Sequence, residues 1–104
     1  MKFQFSILSP GGKAYEGEAE YVSAPGLSGG LGILARHAPM IAAVEPGVTT
    51  VKLDGETRFF YTGSGVLEVA RDETLLLVDE VRPVGSADEA KELMKAAAPT
   101  PTAK

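Results

Sequence analysis

Short runs of alternating apolar and polar residues fill the chain to about residue 85, interrupted by Gly or Pro roughly every eight to twelve residues. In Lys2 to Leu8, Phe3, Phe5 and Ile7 fall on one face and Gln4 and Ser6 on the other, the two-residue period of a strand. Pro10-Gly11-Gly12 ends it. The next run, Ala14 to Ser23, reads as one strand with Tyr15, Gly17, Ala19 and Tyr21 on one side and Glu16, Glu18 and Glu20 on the other. Three carboxylates in register predict a solvated face and oppose edge-to-edge pairing. Shorter apolar pieces follow at Leu31–Leu34 and Ile41–Val44. Val48 to Leu53 and Glu56 to Thr62 flank Asp54-Gly55, a pair suited to the positive φ angles of a type I′ hairpin turn. Val66 to Ala70 and Thr74 to Val81 form a second pair around Arg71-Asp72-Glu73. Leu75, Leu76, Leu77 and Val78 do not alternate, which predicts a central strand covered on both sides, with the following helix as the candidate cover. No helix separates the strands. The fold class predicted is therefore mainly β, an antiparallel β-sandwich of about ten strands followed by one short C-terminal α-helix.

The helix is announced by a change of texture. Residues 86–98 turn to Ala, Glu, Lys, Leu and Met, and Ser86-Ala87-Asp88-Glu89 is a capping box. Asp88 and Glu89 sit at the positive end of the helix dipole, with Lys91 and Lys95 toward the negative end. Ala87, Ala90, Leu93, Met94 and Ala97 make one apolar stripe, and so short a helix should dock on the sandwich or on a partner. The expected organisation is a sandwich domain over residues 1–85, a short helix over 86–98 and a flexible tail over 99–104.

Composition narrows what such a domain does. The 104 residues carry no Cys and no Trp, so disulfides and thiolate metal sites are excluded. A net charge of −4 without a basic stripe argues against nucleic acid as a partner. The longest uncharged run, Tyr21 to Ala35, is broken by glycines, and no signal-peptide core follows Met1. The chain reads as soluble and intracellular, reaching a membrane only through partner subunits. His37 is the single histidine, and Gly63-Ser64-Gly65 lacks the context of a nucleophile elbow. Gly29-Gly30-Leu31-Gly32 lacks the P-loop pattern and no helix follows it. No catalytic residue, metal site, nucleotide site or cofactor is expected, and the protein is not an enzyme by itself. His37 reads as a hydrogen-bonding loop residue, with a ligand or proton carrier as the competing reading.

The segment Gly29-Gly30-Leu31-Gly32-Ile33-Leu34-Ala35-Arg36-His37-Ala38-Pro39-Met40 resembles the Gly-Glu-Leu-Gly-Ile-Leu-Pro-Gly-His-Ala-Pro-Leu signature of the epsilon subunit of F-type ATP synthases, called delta in mitochondria. Ser23-Ala24-Pro25-Gly26 resembles the family's Ser-Ala-Pro-Gly turn, and Glu45-Pro46-Gly47 its Lys-Pro-Gly turn. Gly63 to Val69 resembles its Ser-Gly-Gly-Phe-Leu-Glu-Val strand, and Asp88-Glu89-Ala90 falls where its first C-terminal helix begins. The resemblance covers about residues 2–95.

The resemblance implies a non-catalytic rotor subunit. Such a subunit packs against gamma, rests on the membrane c-ring and contributes to coupling proton flow to ATP synthesis. It sits peripherally at the cytoplasmic face of the bacterial plasma membrane. Matching positions make Ser9, Gly30, Arg36, His37, Ala38, Pro39, Met40 and Ala42 the expected contacts with gamma or the c-ring. Three departures stand out. Gly30 replaces the signature's Glu, Ala35-Arg36 replaces its Pro-Gly and adds a positive charge, and no second C-terminal helix is expected after the first. Lys91 also stands where ATP-binding members carry Arg, so neither inhibition by a long hairpin nor ATP sensing is expected. The alternative is a free-standing β-sandwich binding a carbohydrate or peptide, disfavoured by the lack of Trp for stacking. A small hydrolase lacks a nucleophile and base.

Overall fold

A computed structural model describes residues 1–71 and 73–97, and side chains as far as Leu93. The tail predicted over 99–104, the last predicted helical residue and Asp72 lie outside the described residues, as do the Met94, Lys95 and Ala97 side chains. The chain forms β1 (Phe3–Ser9), β2 (Gly12–Ala19), β3 (Tyr21–Gly26), β4 (Gly29–Leu34), β5 (Met40–Val44), β6 (Gly47–Leu53), β7 (Glu56–Thr62), β8 (Gly65–Val69), β9 (Glu73–Val78), β10 (Val81–Val84) and α1 (Ala87–Ala97). Hydrogen bonding orders one layer as β4-β3-β6-β7-β10 and the other as β5-β8-β9-β1-β2. The layers join where β3 meets β5, through the single pair Gly26–Val44. Their facing sides form one core that includes Phe5, Ile7, Val22, Ile33, Val51, Phe60, Leu67 and Leu76.

The expected sandwich is present, with three local corrections. First, Ala14–Ser23 is two strands. β2 lies at the outer edge of one layer and β3 inside the other, so the chain crosses over at Glu20, whose N–H donates to the Lys52 carbonyl at 2.7 Å. The crossing resets the alternation: Ala19 and Val22 are both buried, three positions apart. Tyr21 consequently leaves the face of Tyr15. Its ring covers Gly32, where a Cβ would come within 3.0 Å of the Tyr21 hydroxyl. Second, the run ending at Val81 breaks at Asp79-Glu80, and Val81 begins a strand of the opposite layer. Third, β1 and β9 pair in parallel, the other strand pairs being antiparallel. The parallel pair arises because β1 enters the layer beside a strand formed some seventy residues later, without a hairpin to set its direction.

The local signals behave as their chemistry dictates. Asp54 and Gly55 take φ values of 52° and 79°, completing the β6–β7 hairpin in the left-handed conformations that turn requires. Ser86 Oγ accepts a hydrogen bond from the Glu89 N–H at 3.1 Å. The Glu89 carboxylate in turn accepts one from the Gly85 N–H at 2.9 Å, one residue earlier than a standard capping box. Ala90 is fully buried, and α1 packs against β6, β7 and β10. That placement corrects the expectation for Leu75–Val78. The helix covers the first layer, on the side of Tyr61, and leaves the outer side of β9 open.

Candidate partner-binding surface

The pairing registers of the second layer align its outward residues in rows. Ala43 pairs with Val66, Val66 with Leu77, and Leu77 with Leu8. The neighbouring row runs Ile41, Glu68, Leu75 and Ser6. Outward positions of a half-solvated antiparallel sheet are ordinarily polar, yet Glu68 is the one charged residue among these eight, and charge returns along the rows at the β2 edge, where Lys13 pairs with Leu8 and Glu16 with Ser6. The face is open over β5, β8 and β9, where Ile41 is 72% exposed, Leu77 42% and Val66 38%, and it closes at Ser6, which is buried. A contiguous apolar face of this kind is a candidate binding surface. Beside it a shallow groove of about 340 Å³ is lined by Leu8, Ser9, Pro10, Gly65 and Leu77, among others. Gly65 is required for that geometry, since a Cβ there would lie 1.8 Å from the Leu77 carbonyl oxygen.

A second feature lies in the segment between β4 and β5. The His37 N–H donates to the Leu34 carbonyl at 3.2 Å, closing a turn that holds Arg36 at a φ of 66°. Left-handed backbone costs a residue with a Cβ about 1–2 kcal/mol, so this is a position that favours glycine. The Ala38 carbonyl lies 2.7 Å from His37 Nδ1 and can only accept, so this ring nitrogen carries the proton. Arg36, His37, Ala38 and Pro39 face Arg71 across a cleft of about 650 Å³. Pro39 and Arg71 also border an adjoining groove of about 580 Å³ that includes Met40, Ile41, Val69 and Glu68.

The residues expected from sequence therefore divide. Arg36, His37, Ala38 and Pro39 come together in one cleft, and Met40 lines the next groove. Ser9 is in the separate groove beside Leu77. Gly30, exposed in β4, pairs with Pro25 and belongs to the other layer. Ala42 pairs with Leu67, which is 0% exposed, and so lies on the core-facing side of β5, between the outward residues Ile41 and Ala43. Sequence reasoning passed over Leu8, Ile41, Val66, Leu77 and Arg71. The signal for Leu77 was the non-alternating run in β9, which was assigned to the helix. Arg71 carried no signal, because its neighbour in the cleft is distant in sequence.

Elsewhere, a groove of about 490 Å³ opens between β2 and the β6–β7 hairpin, where Glu16, Glu18, Asp54 and Glu56 surround Tyr15 and Arg58. Burial raises the Tyr15 hydroxyl above its usual pKa, opposed by the Arg58 guanidinium 6.0 Å from its ring. Among the described residues, no group of three or more His, Asp or Glu is gathered closely enough to hold a metal ion.

Comparison with known proteins gives concordant matches. The family model for the β-sandwich domain of the ATP synthase delta/epsilon chain matches residues 2–84. The ATP synthase epsilon chain of Dichelobacter nodosus is 40% identical over 90 residues, spanning 86% of this chain and 63% of that protein. The ATP synthase epsilon chain of Acidithiobacillus ferridurans is 37% identical over 93 residues, spanning 89% of this chain and 66% of that one. The chain thus spans just under two thirds of the length of these relatives. A chain of the Euglena gracilis mitochondrial ATP synthase matches 96% of the fold at a TM-score of 0.75 and 16% identity, with 69% of that chain covered. A chain of the Tetrahymena thermophila mitochondrial ATP synthase central stalk and c-ring structure matches 89% at a TM-score of 0.64 and 11% identity, with 88% of it covered.

Proposed function

The chain belongs to the ATP synthase delta/epsilon β-sandwich family, and from that premise we propose that it is a non-catalytic central-stalk subunit of a proton-translocating F-type ATP synthase. In this role it links the gamma subunit to the c-ring and contributes to coupling proton flow to ATP synthesis. The single observation that carries the docking role is the asymmetry of the two outer faces. α1 packs on β6, β7 and β10 of the first layer, where Leu34 of β4 stays exposed, while the second presents Leu8, Ala43, Val66 and Leu77 as an open apolar row. We assign that row, with Ser9 at its end, to gamma. The loop of Arg36, His37, Ala38, Pro39 and Met40 adjoins it through Ile41. Gly30, in the other layer, is assigned to the c-ring side.

No helix among the described residues is long and apolar enough to cross a membrane. The proposed location is accordingly peripheral, at the cytoplasmic face of a bacterial plasma membrane, held there by partner subunits. Nothing in this role requires a cofactor or bound nucleotide. The test is affinity purification of the tagged chain from its own organism. Recovery of gamma, and of the catalytic hexamer and c-ring with it, supports the reading. A chain that elutes without gamma, from cells whose ATP synthase is intact, refutes it and favours a free-standing binding module.

A further inference from the structure

We propose that the cleft between the β4–β5 loop and Arg71 receives a carboxylate side chain of the protein partner, gripped between the Arg36 and Arg71 guanidinium groups, with an adjacent apolar side chain of the same partner seated in the groove of Pro39, Met40 and Ile41. The inference rests on the reading of this chain as a docking subunit and specifies the chemistry that the partner presents.

Three observations converge. The first is the backbone at Arg36. Its φ of 66° lies where glycine is at ease and a side chain is strained, and the similar family signature has glycine there. Asp54 adopts such a conformation because its hairpin turn requires it, whereas Arg36 lies in a loop that lines a cleft, the setting in which retained strain points to use. Arg36 is exposed and its side chain forms no ion pair among the described residues, so the guanidinium itself does nothing within the chain to offset the strain. The second is convergence. Arg71 lines the same cleft from the β8–β9 turn, so two permanently charged arginines border one space on a protein whose net charge is −4. Guanidinium groups bind carboxylates bidentately, and a pair of them selects an acidic side chain over a neutral one. The third is continuity. Pro39 and Arg71 border both hollows, and Ile41, 72% exposed, belongs to the apolar groove and to the open face alike. The exposed carboxylate of Glu68 stands in the apolar groove. It repels a second acid there and confines the partner's carboxylate to the arginine end.

The strain makes the proposal separable from a structural role. Arg36→Gly removes charge and strain together, whereas Arg36→Ala removes the charge alone. Binding to the purified gamma subunit of the same organism is measured by calorimetry at low and high salt, with thermal melts of each variant. Arg36→Gly should melt a few degrees higher than the parent, yet bind gamma roughly tenfold more weakly or worse. Arg36→Ala and Arg71→Gln should lose similar affinity without the gain in stability. In all three, affinity should fall less steeply with salt than in the parent, because a charge pair has gone. Gamma binding by Arg36→Gly at parental strength, or weaker binding with unchanged salt dependence, overturns the carboxylate clamp and leaves the docking role standing. Failure of the parent chain itself to bind gamma removes the docking role, and the clamp falls with it.

Discussion

Replacing Leu77 by Glu tests the assignment of the open face most directly. Leu77 projects outward from β9 between Val66 and Leu8 and remains 42% exposed in the isolated chain. Full burial of a leucine side chain is worth about 1.5–3 kcal/mol, so a partner that covers the exposed part gains about 1 kcal/mol from this residue. Glutamate forfeits that gain and places a carboxylate in an apolar contact, where stripping its water costs several kcal/mol more. The sum is at least about 3 kcal/mol, or more than a hundredfold in affinity. The fold should tolerate the change, since the residue meets solvent already. Leu77→Ala, which removes apolar area without adding charge, should cost only about fivefold. Calorimetric titration with gamma gives the affinities, and circular dichroism melts confirm that each variant unfolds cooperatively. Binding by a folded Leu77→Glu variant within threefold of the parent refutes the assignment. Ala42 is unsuited to the same test, because its side of β5 faces the fully buried Leu67, and a bulky charge there would damage the core before it reached a partner.

Three further outcomes follow from the packing. Gly65→Ala forces a methyl to within 1.8 Å of the Leu77 carbonyl oxygen, so β8 and β9 must separate. It should destabilise by about 2 kcal/mol or more, and a melting temperature unchanged within experimental error contradicts this. Thr49 and Thr62, both 0% exposed, share a hydroxyl–hydroxyl hydrogen bond of 2.8 Å. Either single change to Val should cost about 1–3 kcal/mol by stranding the other hydroxyl, while the double change should be nearly neutral; denaturant titrations of the full cycle decide, and additive effects would argue against the pair. Ser86→Ala removes the hydroxyl that accepts from the Glu89 N–H and should cost about 1 kcal/mol. The helical dichroism signal should be lost at lower temperature than the strand signal, and coincident, unshifted transitions would show that the cap contributes nothing.

What was legible in the sequence was whatever depends on near neighbours. The Asp54-Gly55 turn, the alternation of β1 and the cap at Ser86 are each fixed by backbone geometry within a few residues, and each is present in the structure. The misread features depend on residues far apart. Ala14–Ser23 alternates evenly, and the change of layer shows only in the pairing, β2 with β1 on one side of Glu20 and β3 with β6 on the other. The apolar run Leu75–Val78 suggests cover on both faces of β9, yet only the side of Leu76 and Val78 is buried and Leu77 stays 42% exposed; local composition cannot tell a buried face from an apolar one left open. Four of the expected contact residues, Arg36 to Pro39, come together because they are consecutive. Arg71 escaped notice because the fold, and no local pattern, carries it to them.

The unequal treatment of the strand edges and faces bears on how the domain associates. β2, one edge of the second layer, carries Lys13, Glu16 and Glu18, all exposed. β10, an edge of the first layer, carries Arg82 and Pro83. Charge and proline at such positions suppress main-chain pairing, which is strong and indifferent to sequence. The outer face of the second layer has no such guard. Association through such a face would depend on side-chain shape and on the charges at its border, and so would discriminate between partners in a way that edge pairing does not. Had α1 folded over β9, the chain would have satisfied its own apolar surface and had little left with which to bind. By packing on β6, β7 and β10 it covers part of one layer and leaves the apolar row of the other open to solvent, the surface proposed above for docking.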